Sequence, residues 1–257
     1  MSLPWYTLEI VSHFAAWSVM VNGIGQSTDR SMPSSDERFP INAWIATGTN
    51  TLEAVVWVPP AKSERPPKMD FTVRVCRYEP DSKTPLVLAE RSWALPTDGT
   101  AQEFPVHLKA EFPVTTPLPK WTWADADALP PDFKPDAGLL AFLHGAQQDL
   151  AKRDLAAVVK LSRIKAVEMA AAFGVPEQER LDGQKKFFQD LFADPKFAMK
   201  PLDEKGIRLH RHADGKLWEV TDPKGDPAVS TTALEDGSNF GLKMYVCRKH
   251  GQWLMCR

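Results

Sequence analysis

Along residues 1–112 the apolar positions come in short runs separated by turn formers, a spacing that predicts strands at 6–12, 16–21, 51–58, 71–77, 86–92 and 104–108. In the fourth of these, Phe71, Val73 and Val75 alternate with Thr72, Arg74 and Cys76, so one face should be buried and the other wet. Such strands are expected to pack as an all-β sandwich. Residues 24–38 and 59–70 are polar, contain proline and lack periodicity, which predicts surface loops.

After Pro135 the period changes. Leu139, Leu143, Ala146 and Leu150 recur at helical spacing up to Lys152 and Arg153, and Asp154 can cap a second helix. That helix carries Val158, Val159, Ala166, Met169 and Phe173 and should stop at Gly174, where glycine can adopt a left-handed cap. Pro176 suits the first turn of a third helix with Leu181, Phe188, Leu191 and Phe192 on its inner stripe. Strands at 207–212 and 216–221 flank Asp214-Gly215, and a last pair at 242–248 and 252–256 closes around His250-Gly251. Helices followed by antiparallel strands predict an α+β domain.

Between these patterns, residues 113–136 contain six prolines, so no helix can run through them. The expected organisation is a β-sandwich domain at 1–112, a linker at 113–136 and an α+β domain at 137–257. A free linker would not expose two indoles, so Trp121 and Trp123 should pack on a domain, and they are candidate ligand-contacting residues.

Composition narrows the partners. The 257 residues carry 31 basic and 33 acidic side chains, a net charge of −2, which supplies no field for nucleic acid or anionic membrane. The basic residues Lys152, Arg153, Lys160, Arg163 and Lys165 alternate with acids and read as a solvated helix face. The longest early apolar run, 14–21, is too short to span a bilayer and has no basic segment before it. A soluble protein of the cytoplasm is the expectation, although a secreted or periplasmic chain whose leader had been removed would read the same. Three cysteines without a CxxC pair predict neither a disulfide framework nor a zinc site. On a flat ladder Cys247 and Cys256 stand diagonally, about 7–8 Å apart, which favours free thiols unless a bulge shifts the register.

Residues 19–23 (VMVNG) and 39–56 (FPINAWIATGTNTLEAVV) resemble the galactose-binding-like jelly-roll modules appended to many glycosidases, through Asn22, Gly23, Ile41, Trp44, Ile45, Gly48, Asn50, Leu52 and Val55. The resemblance implies a jelly-roll fold, and with it a possible glycan ligand. The C-terminal part is similar to the NTF2-like family in its element order and in its final hairpin with Lys249, Gly251, Gln252 and Trp253. That resemblance implies a curved sheet forming a cone, whose mouth holds a ligand in some members and an Asp/His pair in others.

Candidate chemistry is sparse. His210 and His212 share one strand face and would need a third donor to hold zinc; Arg208 and Arg211 beside them favour a solvated face, so no metal or other cofactor is expected. They join Trp121 and Trp123 as candidate ligand contacts. His144 borders the buried stripe of the first helix, and His13 and His107 are assigned no role. No nucleophile elbow, zincin, phosphate-loop or dinucleotide motif occurs, which leaves the chain without an identifiable catalytic residue. The reading that follows is a non-catalytic binding or interaction protein, of bacterial type, engaging a protein partner or a small ligand. Its rivals are a small-molecule or carbohydrate-acting enzyme with an acid/base site in the C-terminal cavity, and a carbohydrate-binding protein.

Overall fold

The computed structural model describes residues 3–29, 34–57, 68–80, 82–97 and 100–257. Apolar alternation in the N-terminal half resolves into eight strands: β1 (Trp5–His13), β2 (Ala16–Val21), β3 (Ile24–Asp29), β4 (Ser34–Pro40), β5 (Gly48–Trp57), β6 (Asp70–Tyr78), β7 (Leu86–Ala94) and β8 (Val106–Val114). They form two four-stranded antiparallel sheets, ordered β4-β1-β6-β7 and β3-β2-β5-β8. Tyr6, Leu8, Ile10, Phe71, Val73 and Val75 of one sheet share a core with Trp17, Val19, Leu52, Val56 and Phe112 of the other. Each such side chain contributes about 1.5–3 kcal/mol by leaving water.

Two strands run through what the polar pattern predicts as the loop 24–38. β4 buries no residue and is held by its backbone ladder to β1, which is why its sequence carries no apolar signal. The last strand also runs further than expected, through Pro113. As β8 is an edge strand, the missing N–H there costs no ladder bond. Val58 and residues 59–67 of the second expected loop lie outside the described residues.

The chain divides into two compact units, 1–119 and 120–257. In the second, α1 (Ala137–Ala151) is capped by Asp136 and α2 (Leu155–Leu161) by Asp154, whose carboxylates accept from Leu139 N and Ala157 N at 2.7 and 3.0 Å. One continuous helix was expected from residue 155 to Gly174. Instead the chain breaks at Ser162, whose hydroxyl donates back to Val158 O at 2.7 Å, and α3 (Arg163–Phe173) follows. Gly174 ends it in the left-handed conformation, φ 64°. Then come α4 (Glu177–Ala193), β9 (Arg208–His212), β10 (Leu217–Thr221), β11 (Met244–Lys249) and β12 (Gln252–Met255), forming one antiparallel sheet in the order β12-β11-β10-β9.

One face of this sheet, with Trp218, Val220, Met244, Val246, Trp253 and Met255, packs against Leu139, Leu143, Phe188, Phe192 and Phe197. That interior is filled by aromatic and methionine side chains. On the other face lie Leu217, Tyr245, Cys247 and Cys256, all buried. The final hairpin keeps the expected register, with Cys247 opposite Leu254, yet Cys247 and Cys256 are joined by a disulfide. A bulge past the end of β12 accounts for the difference: Cys256 N and Arg257 N both donate to Tyr245 O, at 2.8 and 3.2 Å, so two residues oppose Tyr245, and the Cα atoms of Cys247 and Cys256 stand 6.5 Å apart, inside the bridging range.

Residues 120–136 belong to the second unit and are tied to it. Trp121 is 1% exposed, with the Arg257 guanidinium 5.1 Å from its ring centre. Thr122 N donates to Glu168 at 2.6 Å, Asp127 N to Arg248 O at 2.7 Å and Leu129 N to Gly215 O at 2.9 Å. Glu168 also receives the guanidinium of Arg257.

Candidate functional site

A cleft of about 840 Å³ opens in the second unit between α3, α4 and the segment leading into β11. Helical spacing brings Ser162, Lys165, Ala166, Met169 and Phe173 onto one stripe of α3, which forms one wall. Arg180, Gly183, Gln184, Phe187 and Phe188 do the same on α4, and residues 240–243 with Met255 close the third side. Phe187, Phe188 and Phe240 form a ring cluster with centroids 5.3 to 6.3 Å apart, joining α4 to that third wall.

Polar groups in the cleft are unevenly satisfied. Gln184 donates to the Ser162 hydroxyl, while its carbonyl oxygen is buried and has no partner among the described residues. Lys165 is half-buried and has no carboxylate within ion-pair distance among the described residues. Burial pushes its pKa below the usual lysine value, and repulsion from Arg180, Lys243 and Arg257 adds to the shift. Lys243 is offset by Glu219 at 3.4 Å, and Arg257 by Glu168. The one carboxylate lining the cleft is Glu179. A smaller hollow of about 380 Å³ lies near Phe142, Lys160, Ile164 and Trp253.

None of the four residues expected to contact ligand lines the cleft. Trp121 and Trp123 are both buried, and Trp123 leaves its indole nitrogen without a partner among the described residues. His210 and His212 do share a face of β9, but they pair across to β10: His210 with the Thr221 hydroxyl at 2.9 Å, His212 with Glu219 at 3.6 Å. Lys165, which the charge pattern assigns to a solvated helix face, is the residue that reading misplaces. Its spacing from Met169 and Phe173 was the available signal.

The most chemically varied cluster is Glu219, His212, Tyr245 and Lys243. The imidazole of His212 and the Tyr245 ring are 5.6 Å apart, and the Lys243 ammonium lies 5.2 Å from the same ring. His212 holds Glu219 below the usual carboxylate range, with Lys243 assisting against the opposing effect of burial. Burial, with Glu219 beside it, pushes the Tyr245 phenol up. Both shifts move away from neutrality, whereas proton transfer near pH 7 needs groups drawn towards it. The remaining histidine–carboxylate pairs, His144–Glu204 and His13–Asp70, each at 2.7 Å, are also outside the cleft lining. Among the described residues no three His, Cys, Asp or Glu side chains stand together as a metal site, and no helix is long and apolar enough to cross a membrane.

No protein-family model, no curated protein and no solved structure matches the chain.

Proposed function

We propose that this is a non-catalytic binding protein whose second unit receives a small ligand in the α3–α4 cleft. The observation that supports this most is the cleft's construction: an open volume of about 840 Å³, in the range of ligand sites, whose lining is mostly apolar with a few convergent polar groups. The sheet face that carries Trp218, Val220 and Val246 is packed against helix side chains, and this reading therefore seats the ligand in the cleft.

In this reading the first unit is a jelly-roll-like, galactose-binding-like module and the second an NTF2-like one. Eight strands in two four-stranded antiparallel sheets support the former, and helices followed by a four-stranded antiparallel sheet support the latter. The fold says nothing about ligand identity; the site must.

Gly183 makes the reading testable. It lines the cleft from α4, and a Cβ added there would meet nothing within 4 Å, so a large side chain can be built into the space without disturbing the backbone. Titration with Nile red, a neutral apolar dye, is expected to give saturable blue-shifted fluorescence with the wild-type protein. Gly183→Phe, with its circular dichroism unchanged, is expected to abolish that signal. Equal dye binding by both proteins would sink the proposal.

A further inference from the structure

The polarity of the cleft specifies more than its size does. Three cations line it, Lys165, Arg180 and Lys243, with the single carboxylate Glu179, and Arg257 is near enough to Lys165 to repel it; Lys243 is paired with Glu219 and Arg257 with Glu168. Lys165 and Arg180 have no such partner among the described residues, and Lys165 is half-buried. An ammonium held away from water without a counter-ion is costly, and folding alone does not supply the missing charge. The rest of the lining is of the opposite character. Met169, Phe173, Phe187, Phe240, Leu242 and Met255 offer a surface that only an apolar body would cover.

We propose that the ligand is an amphiphile with a single oxyanion head, seated with the head between Lys165 and Arg180 and its apolar body along Met169, Phe173, Phe187 and Phe240. The inference rests on the cleft being a ligand site, and names its chemistry. Each alternative class leaves something unmet. A neutral lipid would leave the ammonium of Lys165 unpaired, a cationic amphiphile would be repelled by it, and a small inorganic anion would leave the aromatic wall wet. The lowered proton affinity of Lys165 has the same origin, and an oxyanion beside it would reverse it. Ligand binding should therefore be accompanied by proton uptake in the pH window between the lowered pKa of Lys165 and the ordinary lysine value of 10.5.

Four probes sharing one twelve-carbon chain separate head from tail: dodecanoate, dodecyl phosphate, 1-dodecanol and dodecyltrimethylammonium. Each is titrated below its micellar concentration by displacement of Nile red. Dodecanoate or dodecyl phosphate is expected to bind at least about tenfold more tightly than the alcohol, the scale of one charge-assisted contact. Which of the two is preferred identifies the head as carboxylate or phosphate. Lys165→Gln and Arg180→Gln are expected to erase most of that preference by weakening the acid far more than the alcohol. Arg180 is exposed, so its variant remains informative should Lys165→Gln fold poorly. Equal binding of acid and alcohol, or tighter binding of the ammonium amphiphile, would overturn the inference and leave the cleft a ligand site. If no probe binds, the ligand site itself fails.

Discussion

Each unit sets a small group of polar side chains among apolar ones, and the two groups are finished differently. In the first unit, Asn22 donates to Trp44 O at 2.9 Å and to the Asn50 side-chain oxygen at 2.8 Å, and its own oxygen accepts from Thr51 N at 2.9 Å. Asn50 in turn accepts from Ala46 N at 2.8 Å and donates to Ala46 O and Gly48 O at 2.8 and 3.1 Å. Every bond closes within the fold. In the second unit, Lys165 has no counter-ion and Gln184 keeps an unpaired carbonyl oxygen among the described residues. A closed network specifies a turn and nothing else. An open one is a cost of folding that a ligand can remove, and this contrast separates architecture from site in a chain without a catalytic motif.

The largest expected effect comes from opening the closed network. Asn50→Ala strands the Ala46 N–H and carbonyl together with one donor of Asn22, in a place where Asn50 is 1% exposed. The loss should be about 3 kcal/mol, the cost of burying several unpaired polar groups. Urea unfolding followed through a first-unit signal measures it, and a change below experimental error would mean that the network is as dispensable as a surface turn.

The opposite substitution should have the opposite sign. Lys165→Met removes the uncompensated charge and keeps the aliphatic stem, so the ligand-free protein is expected to gain about 1 kcal/mol. The gain should depend on pH in a defined direction. The folded pKa of Lys165 lies below the 10.5 of the unfolded chain, so between the two values the unfolded chain holds a proton that the folded one has released. Wild-type stability therefore rises with pH through that window, and the advantage of Lys165→Met should shrink as pH approaches 10.5. Paired urea titrations at neutral and alkaline pH read this out. A constant gap would mean that Lys165 is solvated like the rest of its helix.

The same contrast explains what could be read along the chain. The Asn-Gly turn at Asn22-Gly23, with φ of 53° and 68°, and the burial of Leu52 follow from local chemistry, because turns and alternating strands are written into neighbouring residues. β4 is not written that way: Ser35, Asp36, Glu37 and Arg38 bury no side chain and pair with β1 through a backbone ladder, to which Arg38 adds an ion pair with Glu9 at 3.0 Å. Nor is the break at Ser162, since Val158, Ala166 and Phe173 keep a helical period across it, and the hydroxyl that bends the chain is completed by Gln184 from α4. Lys165 was hidden for a related reason. Charge spacing on one helix says which residues share a face, but what covers that face is decided by α4 and residues 240–243, far along the chain. The disulfide depended on the bulge at Cys256-Arg257, which a regular ladder omits.

The smallest effect tests whether the cleft is kept open at a cost. Gly183 lies in the middle of α4, where glycine is about 1 kcal/mol worse than alanine, and a Cβ would meet nothing within 4 Å. No positive φ requires glycine there, and no close approach of backbone does. Gly183→Ala should therefore stabilise the protein by about 0.5–1 kcal/mol while only slightly narrowing the cleft. A modest fall in dye affinity alongside the gain would assign the glycine to the ligand's space. Unchanged affinity would move the ligand's body away from α4, towards the α3 wall of Met169 and Phe173, and so redraw the site without closing it.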